Sequence, residues 1–457
     1  MTQVIEKAKQ VPGPGGHFLL GNLPDYKDDP LDFLLNLAQE YGDISHFRFM
    51  GTSAILLNHP DYIKHVLQDN NRNYNKDTVD YDMLRPVVGN GLLTNDGEDW
   101  LRQRRLIQPA FHRRQIDRFG RLMVQAADEM LAAWNGRSQP NDPVDIAQAM
   151  MRLTLRIVGE ALFGIDLSGE ANEVGAAFTY INEDLSSRLI DGYFIPLPIP
   201  TPRNLRFHEA KSKLDHVVAE IIQERRREKE ERDDLLALLL NARDEETGTG
   251  MDDEQMHDEL ITLLLAGHET TAVALSWTFY LLSEHPKVRQ KLEAEVDQVL
   301  NGRLPTIDDL PELTYTHQVL QESMRLYPPA WAISRKAIEA DTIDDYYIPQ
   351  GAMIVLSPYT MHRHPRYWTN PEGFDPERFR PEAAKDRPHF AYFPFGGGPR
   401  LCIGADFAMT EAQLVLTAVT QRYRLNLVPG HPVKPSPLIT LRPKEGLQMT
   451  LHQRSAN

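Results

Sequence analysis

Residues 251–285 constrain this chain more than any other stretch. Apolar side chains surround the segment on all sides, which is the pattern of a helix buried over its whole circumference. Uninterrupted, it would run about 50 Å, enough to cross a domain, so the remaining elements must wrap it. Asp252 can cap its start, Asp253 and Glu254 stand in its first turn, and Pro286 marks its end. A membrane span is excluded because Gly267-His268-Glu269-Thr270-Thr271 breaks the apolar run. A glycine, an acid and two hydroxyls inside a buried helix are costly unless used. Gly267 removes bulk, and Thr270 can bond a backbone carbonyl and locally open the ladder. His268 reads as a satisfied core residue.

A second stretch carries the chemistry: Phe395-Gly396-Gly397-Gly398-Pro399-Arg400-Leu401-Cys402-Ile403-Gly404. Cys402 is the only cysteine, so no disulfide can form within the chain. Consecutive glycines can take positive φ and leave backbone N–H groups free to converge on an anion. A metal-binding thiolate needs such donors. Arg400 adds a cation near the sulfur, and Phe395 an apolar lid.

At these residues the sequence resembles the cytochrome P450 superfamily. Its signature Phe-x-x-Gly-x-Arg-x-Cys-x-Gly is filled by Phe395, Gly398, Arg400, Cys402 and Gly404. The resemblance implies haem b as cofactor, Cys402 as thiolate ligand of its iron, and a mainly α fold with a smaller β-rich region. It also implies that Phe395 and Gly404 belong to the cofactor loop and that Arg400 pairs with a haem propionate. Trp100 and Arg104 share a helix face, and in family members with Trp-x-x-x-Arg both serve a propionate; Arg335 is expected to be a further partner. The motif Ala/Gly-Gly-x-Asp/Glu-Thr-Thr matches Ala266 to Thr271, which implies that Thr270 steadies dioxygen and Glu269 helps supply protons. Glu322 and Arg325 at i,i+3, completed by Arg378 of Pro376-Glu377-Arg378-Phe379, imply a structural clamp rather than a catalytic group.

The expected pocket wall is Leu92, Leu93, Leu263, Ala266, Ala330, Trp331, Ile333, Leu438 and Ile439, all apolar. That favours a lipophilic substrate, with a fatty acid ranked ahead of a terpenoid or steroid. The implied reaction puts one atom of O2 into a C–H bond. The alternatives are a peroxide-driven haem-thiolate enzyme or isomerase, whose members often replace the acid–alcohol pair, and a non-enzymatic haem sensor.

Composition bounds the partners. A formal net charge of −16 speaks against nucleic acid or an anionic membrane. Lone Cys402 suits a reducing, cytoplasmic setting. Residues 1–10 lack the apolar core of a signal peptide or transmembrane anchor, and a Pro/Gly hinge follows at 11–16. One haem domain over 1–457, with no fused reductase, is the expected organisation. Arg102, Arg105, Arg113, Arg114, Arg118 and Arg121 form a basic run where the family docks its donor, here a separate ferredoxin or flavodoxin served by an NAD(P)H-dependent reductase.

The periodicity predicts helices over 31–41, 100–108, 145–163, 171–187, 204–231, 314–326 and 404–423, and one beginning at Pro60. It predicts a hairpin of 44–49 with 54–57 turning at Met50-Gly51, a mostly loop segment over 70–99, a Pro-rich connector over 195–202, and a strand over 437–440. His362 and His364 suggest a metal pair but have no third ligand nearby.

Overall fold

The computed structural model describes residues 9–49, 51–136, 142–165, 171–191, 195–227 and 234–454. Its longer helices are α1 (Pro30–Tyr41), α2 (Val79–Val88), α3 (Gly97–Ile107), α4 (Arg113–Asn135), α5 (Ile146–Phe163) and α6 (Ala171–Asp191). They continue with α7 (Pro202–Arg227), α8 (Asp253–Glu284), α9 (Pro286–Leu300), α10 (Thr314–Leu326) and α11 (Ala405–Arg422).

Helix α8 is the expected axis. The Asp252 carboxylate accepts from the Gln255 N–H to cap it, and Pro286 starts α9 at once. It is long and apolar enough to cross a membrane, yet 78% of its apolar window is buried inside the protein. Helix α5 lies along it, and α10 and α11 also pack on it. Gly267 serves that packing: a Cβ there would stand 3.1 Å from Val158 of α5.

Strands β1 (Ile44–Phe49), β2 (Thr52–Leu57), β3 (Tyr74–Asn75), β5 (Ile333–Ala337) and β8 (Met353–Leu356) form one sheet; β4 (Val144–Asp145), β6 (Asp341–Ile343), β7 (Tyr346–Ile348) and β9 (Tyr423–Leu427) lie outside it. Its order is β1-β2-β8-β5-β3, with only the β2–β8 pair parallel. The register Tyr74↔Ala337 and Asn75↔Lys336 brings the chain after β3 alongside Arg335. The alternation of apolar positions buries Ile55, Leu57 and Ile354 on one face and Phe47, Leu56 and Val355 on the other.

Two expectations change. Residues 70–99 are not mostly loop: α2 occupies their middle, because Tyr81, Val87 and Val88 find a core that the Asn- and Asp-rich pattern concealed. Residues 438–440 are the turn between β10 (Pro435–Pro437) and β11 (Leu441–Pro443), not a strand. The basic run from Arg113 opens the long helix α4, which packs on α11. Met50 of the β1–β2 turn, residues 228–231 of the expected helix end, and nearly all of residues 1–10 lie outside the described residues.

Candidate active site

Cys402 follows a tight turn and precedes α11. Its backbone N–H donates to the Phe395 carbonyl at 3.0 Å, which closes the loop. Gly398 has φ +65, and a Cβ there would collide with the Leu67 carbonyl; one at Gly397 would strike the Phe390 ring. The glycines therefore let the loop seat against the residues 65–69 turn and Phe390. The N–H that reaches the sulfur is instead that of Gly404, beyond the cysteine. Burial pushes the Cys402 thiol up, while that N–H and Arg104 pull it down. Yet Cys402 carries accessible surface.

Above the loop lies a buried cluster of cations. The Arg400 guanidinium stacks on the buried Trp100 ring at 4.0 Å, donates to the Asn95 carbonyl at 3.1 Å and pairs with Asp96. Burial is the main cause that takes its pKa down to about 10. Arg335 donates to the Ser334 carbonyl at 2.6 Å and to the Tyr81 hydroxyl at 3.3 Å. Lys76 is the residue that the sequence reading missed. It is 6% exposed, its ammonium donates to the Leu93 carbonyl at 2.6 Å, and burial followed by Arg335 and Arg400 holds its pKa well below the usual value. Arg104 stands apart, donating to the Leu401 carbonyl at 2.8 Å beside Cys402. This donor set fits a group with a thiophilic metal at one end and carboxylates at the other. The buried Lys76 and Arg335 with the half-buried Arg400 outnumber the neighbouring Asp80 and Asp96, so the cluster suits further anionic charge.

In the largely buried middle of α8, Ala266 is exposed and Leu265, Gly267 and Thr270 are half-buried. The Thr270 hydroxyl donates to the Ala266 carbonyl at 2.8 Å. Glu269 faces elsewhere: one oxygen accepts from Asn182 of α6 at 2.6 Å, from Arg442 at 2.8 Å and from Thr440. His268 is buried, bonded to the Leu264 carbonyl at 3.0 Å, and burial lowers its pKa.

Leu93, Ala330, Ile333, Leu438 and Ile439 are half-buried, so they retain the accessible surface a pocket wall needs. Leu92 and Leu263 are packed into the helical core. Trp331 is a correction: it sits in the core between α1 and the sheet, and its indole N–H holds the Leu438 carbonyl at 2.7 Å. Glu322, Arg325 and Arg378 come together as expected. His362 accepts from the Phe393 N–H at 2.9 Å, whereas His364 pairs with Asp43 at 3.0 Å, so the two histidines serve separate partners.

A lone thiol opening a helix, a long buried helix carrying an acid–alcohol pair, and a buried cationic cluster define a haem-thiolate protein. The chain belongs to the cytochrome P450 family, whose model, described as Cytochrome P450, matches residues 11–451. Among its relatives are cyclooctatin synthase of Streptomyces melanosporofaciens, 37% identical over 94% of this chain and 92% of the relative. Cyclooctat-9-en-7-ol 5-monooxygenase of the same organism is 37% identical over 91% and 90%. Pentalenene oxygenase of Streptomyces avermitilis is 35% identical over 97% of both. The protein is thus a cytochrome P450 monooxygenase, an oxidoreductase of the haem-iron class.

Proposed function

We propose that this protein hydroxylates a terpenoid, taking its electrons from a separate protein. The observation that carries the substrate class is the set of relatives named for cyclooctatin, cyclooctat-9-en-7-ol and pentalenene. The apolar, half-buried Leu93, Ala330, Ile333, Leu438 and Ile439 suit such a molecule. This reverses the order expected from sequence, because nothing in these relatives supports placing a fatty acid first. Spectral titration of the holoprotein with pentalenene, cyclooctat-9-en-7-ol and palmitate tests it. The two terpenoids should shift the Soret band at lower concentration than palmitate; the opposite order would overturn the reading.

In this reading, residues 1–457 form one haem domain. Haem b, when bound, supplies reductive activation of O2 at its iron. Cys402 would ligate that iron. Trp100, Arg335, Arg400 and Lys76 would hold the propionates through the cationic cluster described above. Arg104 would support the cysteine loop through Leu401.

The Thr270 proton is committed to the Ala266 carbonyl, so its oxygen is left to accept. It can therefore hold a water with a proton directed into the chamber. Glu269, tied to Asn182, Thr440 and Arg442, is a proton source only when that bonding rearranges. Presence of both residues favours monooxygenation over the peroxide-driven or isomerase reading. Thr270→Ala should keep substrate affinity and lower product formed per NAD(P)H by roughly tenfold or more, the scale of a lost proton-positioning group. Equal coupling in both proteins would remove Thr270 from oxygen activation.

The expected donor surface narrows. Arg105 is spent on Asp244 and Glu246, and Arg102 on Gln255, Thr249 and Gly250. Arg113 and Arg114 are exposed at the start of α4, and an acidic ferredoxin or flavodoxin would meet them. Their attraction acts over about 8–10 Å at moderate salt, so it raises association rate more than final affinity. Arg113→Glu with Arg114→Glu should slow the first electron transfer and flatten its salt dependence, with the substrate-induced Soret shift unmoved. A wild-type rate and salt slope in stopped-flow reduction would place the donor elsewhere.

A further inference from the structure

The segment 89–93 carries the half-buried Leu93, a wall residue in the proposed function, and its backbone is held from two sides. On the far side, the Lys76 ammonium takes the Leu93 carbonyl at 2.6 Å. On the near side, two consecutive carboxyls of α8 take alternate N–H groups. Asp258 accepts from Asn90 at 2.7 Å, and Glu259 accepts from Leu92 at 2.9 Å. The fit leaves no slack. Gly89 has φ +56, and a Cβ there would strike the Asp258 carboxylate; one at Gly91 would strike the Thr262 hydroxyl.

We propose that Glu259 is the positioning residue for the Leu93 wall, and so helps to determine which bulky ligands the chamber accepts. The inference rests on the reading that Leu93 faces the substrate chamber. Two features of Glu259 support it. Its side chain is wholly buried, and its second oxygen has no hydrogen-bond partner among the described residues. Burial, opposed by the Leu92 N–H and reinforced by neighbouring Asp258, takes its pKa up to about 8. At neutral pH the group is therefore a neutral acid that accepts one N–H. An ion pair would have made Glu259 a stability element; a neutral acceptor aimed at one backbone N–H fixes a position. Asp258, which lies 3.5 Å from His257, holds the segment at Asn90, two residues before Leu92.

A neutral acceptor has a neutral replacement, and that makes the proposal testable with the holoprotein. Glu259→Gln keeps an oxygen for the Leu92 N–H, whereas Glu259→Leu keeps the bulk and removes the acceptor. Imidazole and 4-phenylimidazole serve as probes, since both ligate haem iron from the chamber while only the second reaches its wall. For Glu259→Gln both dissociation constants should match wild type. For Glu259→Leu the imidazole value should hold while the 4-phenylimidazole value moves by about tenfold or more, as expected when a wall shifts by about 1 Å. Should Glu259→Leu not fold, Glu259→Asp, which is too short to reach Leu92, takes its place with the same expected split.

A merely structural role would lower the thermal midpoint and leave the ratio of the two constants unchanged, and that result overturns the proposal. So would a ratio altered equally by Gln. Failure of the underlying reading is separable: Leu93→Phe must change the 4-phenylimidazole constant, and if it does not, Leu93 is outside the chamber.

Discussion

A Cys402→His protein is expected to take up haem and to lose the red-shifted Soret band of the reduced, CO-bound state, together with all monooxygenation. The band and the reaction both require thiolate, which pushes electron density toward O–O cleavage. Cys402 is the only thiol, so no neighbouring residue can substitute. Burial pushes the Cys402 thiol up, and the Gly404 N–H and Arg104 offset part of that by favouring an anion on the sulfur. A neutral imidazole gains nothing from that N–H or that cation. The proposed propionate partners, Arg400 stacked on Trp100, Arg335 and Lys76, are untouched by the substitution, so haem content should fall less than activity. Haem stoichiometry and the CO difference spectrum are the measurements. An unchanged band would mean that Cys402 is not the ligand.

What the sequence disclosed and what it hid divide along one physical line. Helix α8 was legible because an all-round apolar surface has one stable environment, and its cap and stop are local signals. The cysteine loop was legible because its glycines, cation and thiol are contiguous. The clamp of Glu322, Arg325 and Arg378 could be assembled from two short motifs. Lys76 was not legible. It lies in an Asn- and Asp-rich stretch without periodicity, and only the pairing of β3 with β5 places it beside Arg335, far away in sequence. A lysine at the end of a short strand that the sheet then buries was the sole local hint.

The same limit applies to Glu269, whose acid–alcohol motif is local while its partners are not. Asn182 comes from α6, and Thr440 and Arg442 from the β10–β11 turn and strand β11. Trp331 shows the opposite case: an apolar residue next to the half-buried Ala330 and Ile333 was assigned to the pocket, but its indole N–H found a carbonyl and its ring a core. Arg102 and Arg105 read as a free basic run because their partners, Gln255, Asp244 and Glu246, are distant in the chain. Residue type announced the chemistry. Side-chain pairing across elements decided which copies of each type were available for it.

The second large effect belongs to the clamp, and its order of severity follows from what each side chain satisfies. Arg325 is fully buried, donating to both Glu322 oxygens at 2.7 and 2.8 Å and to the His362, Pro371 and Gly373 carbonyls at 3.0, 2.6 and 2.8 Å. One guanidinium thus holds α10 against the segment leading to the cysteine loop. Glu322 also accepts from the Asp375 N–H at 2.9 Å and from Arg378 at 3.2 Å. Removing one partner from a buried pair costs about 3–5 kcal/mol, because the other charge stays buried and uncompensated. Against a typical total of about 5–15 kcal/mol, that is a large share. Arg325→Ala should be worst, since it orphans three carbonyls as well as a carboxylate. Glu322→Ala should follow, leaving Arg325 its carbonyls but no counter-charge. Arg378→Ala should be mildest, because Glu322 keeps Arg325 and the Thr369 and Asn370 carbonyls that Arg378 holds are exposed to water. Haem-loaded yield and thermal midpoint should fall in that order. An Arg378 variant as damaged as the Arg325 variant would show that the outer arginine, rather than the buried pair, holds the segment in place.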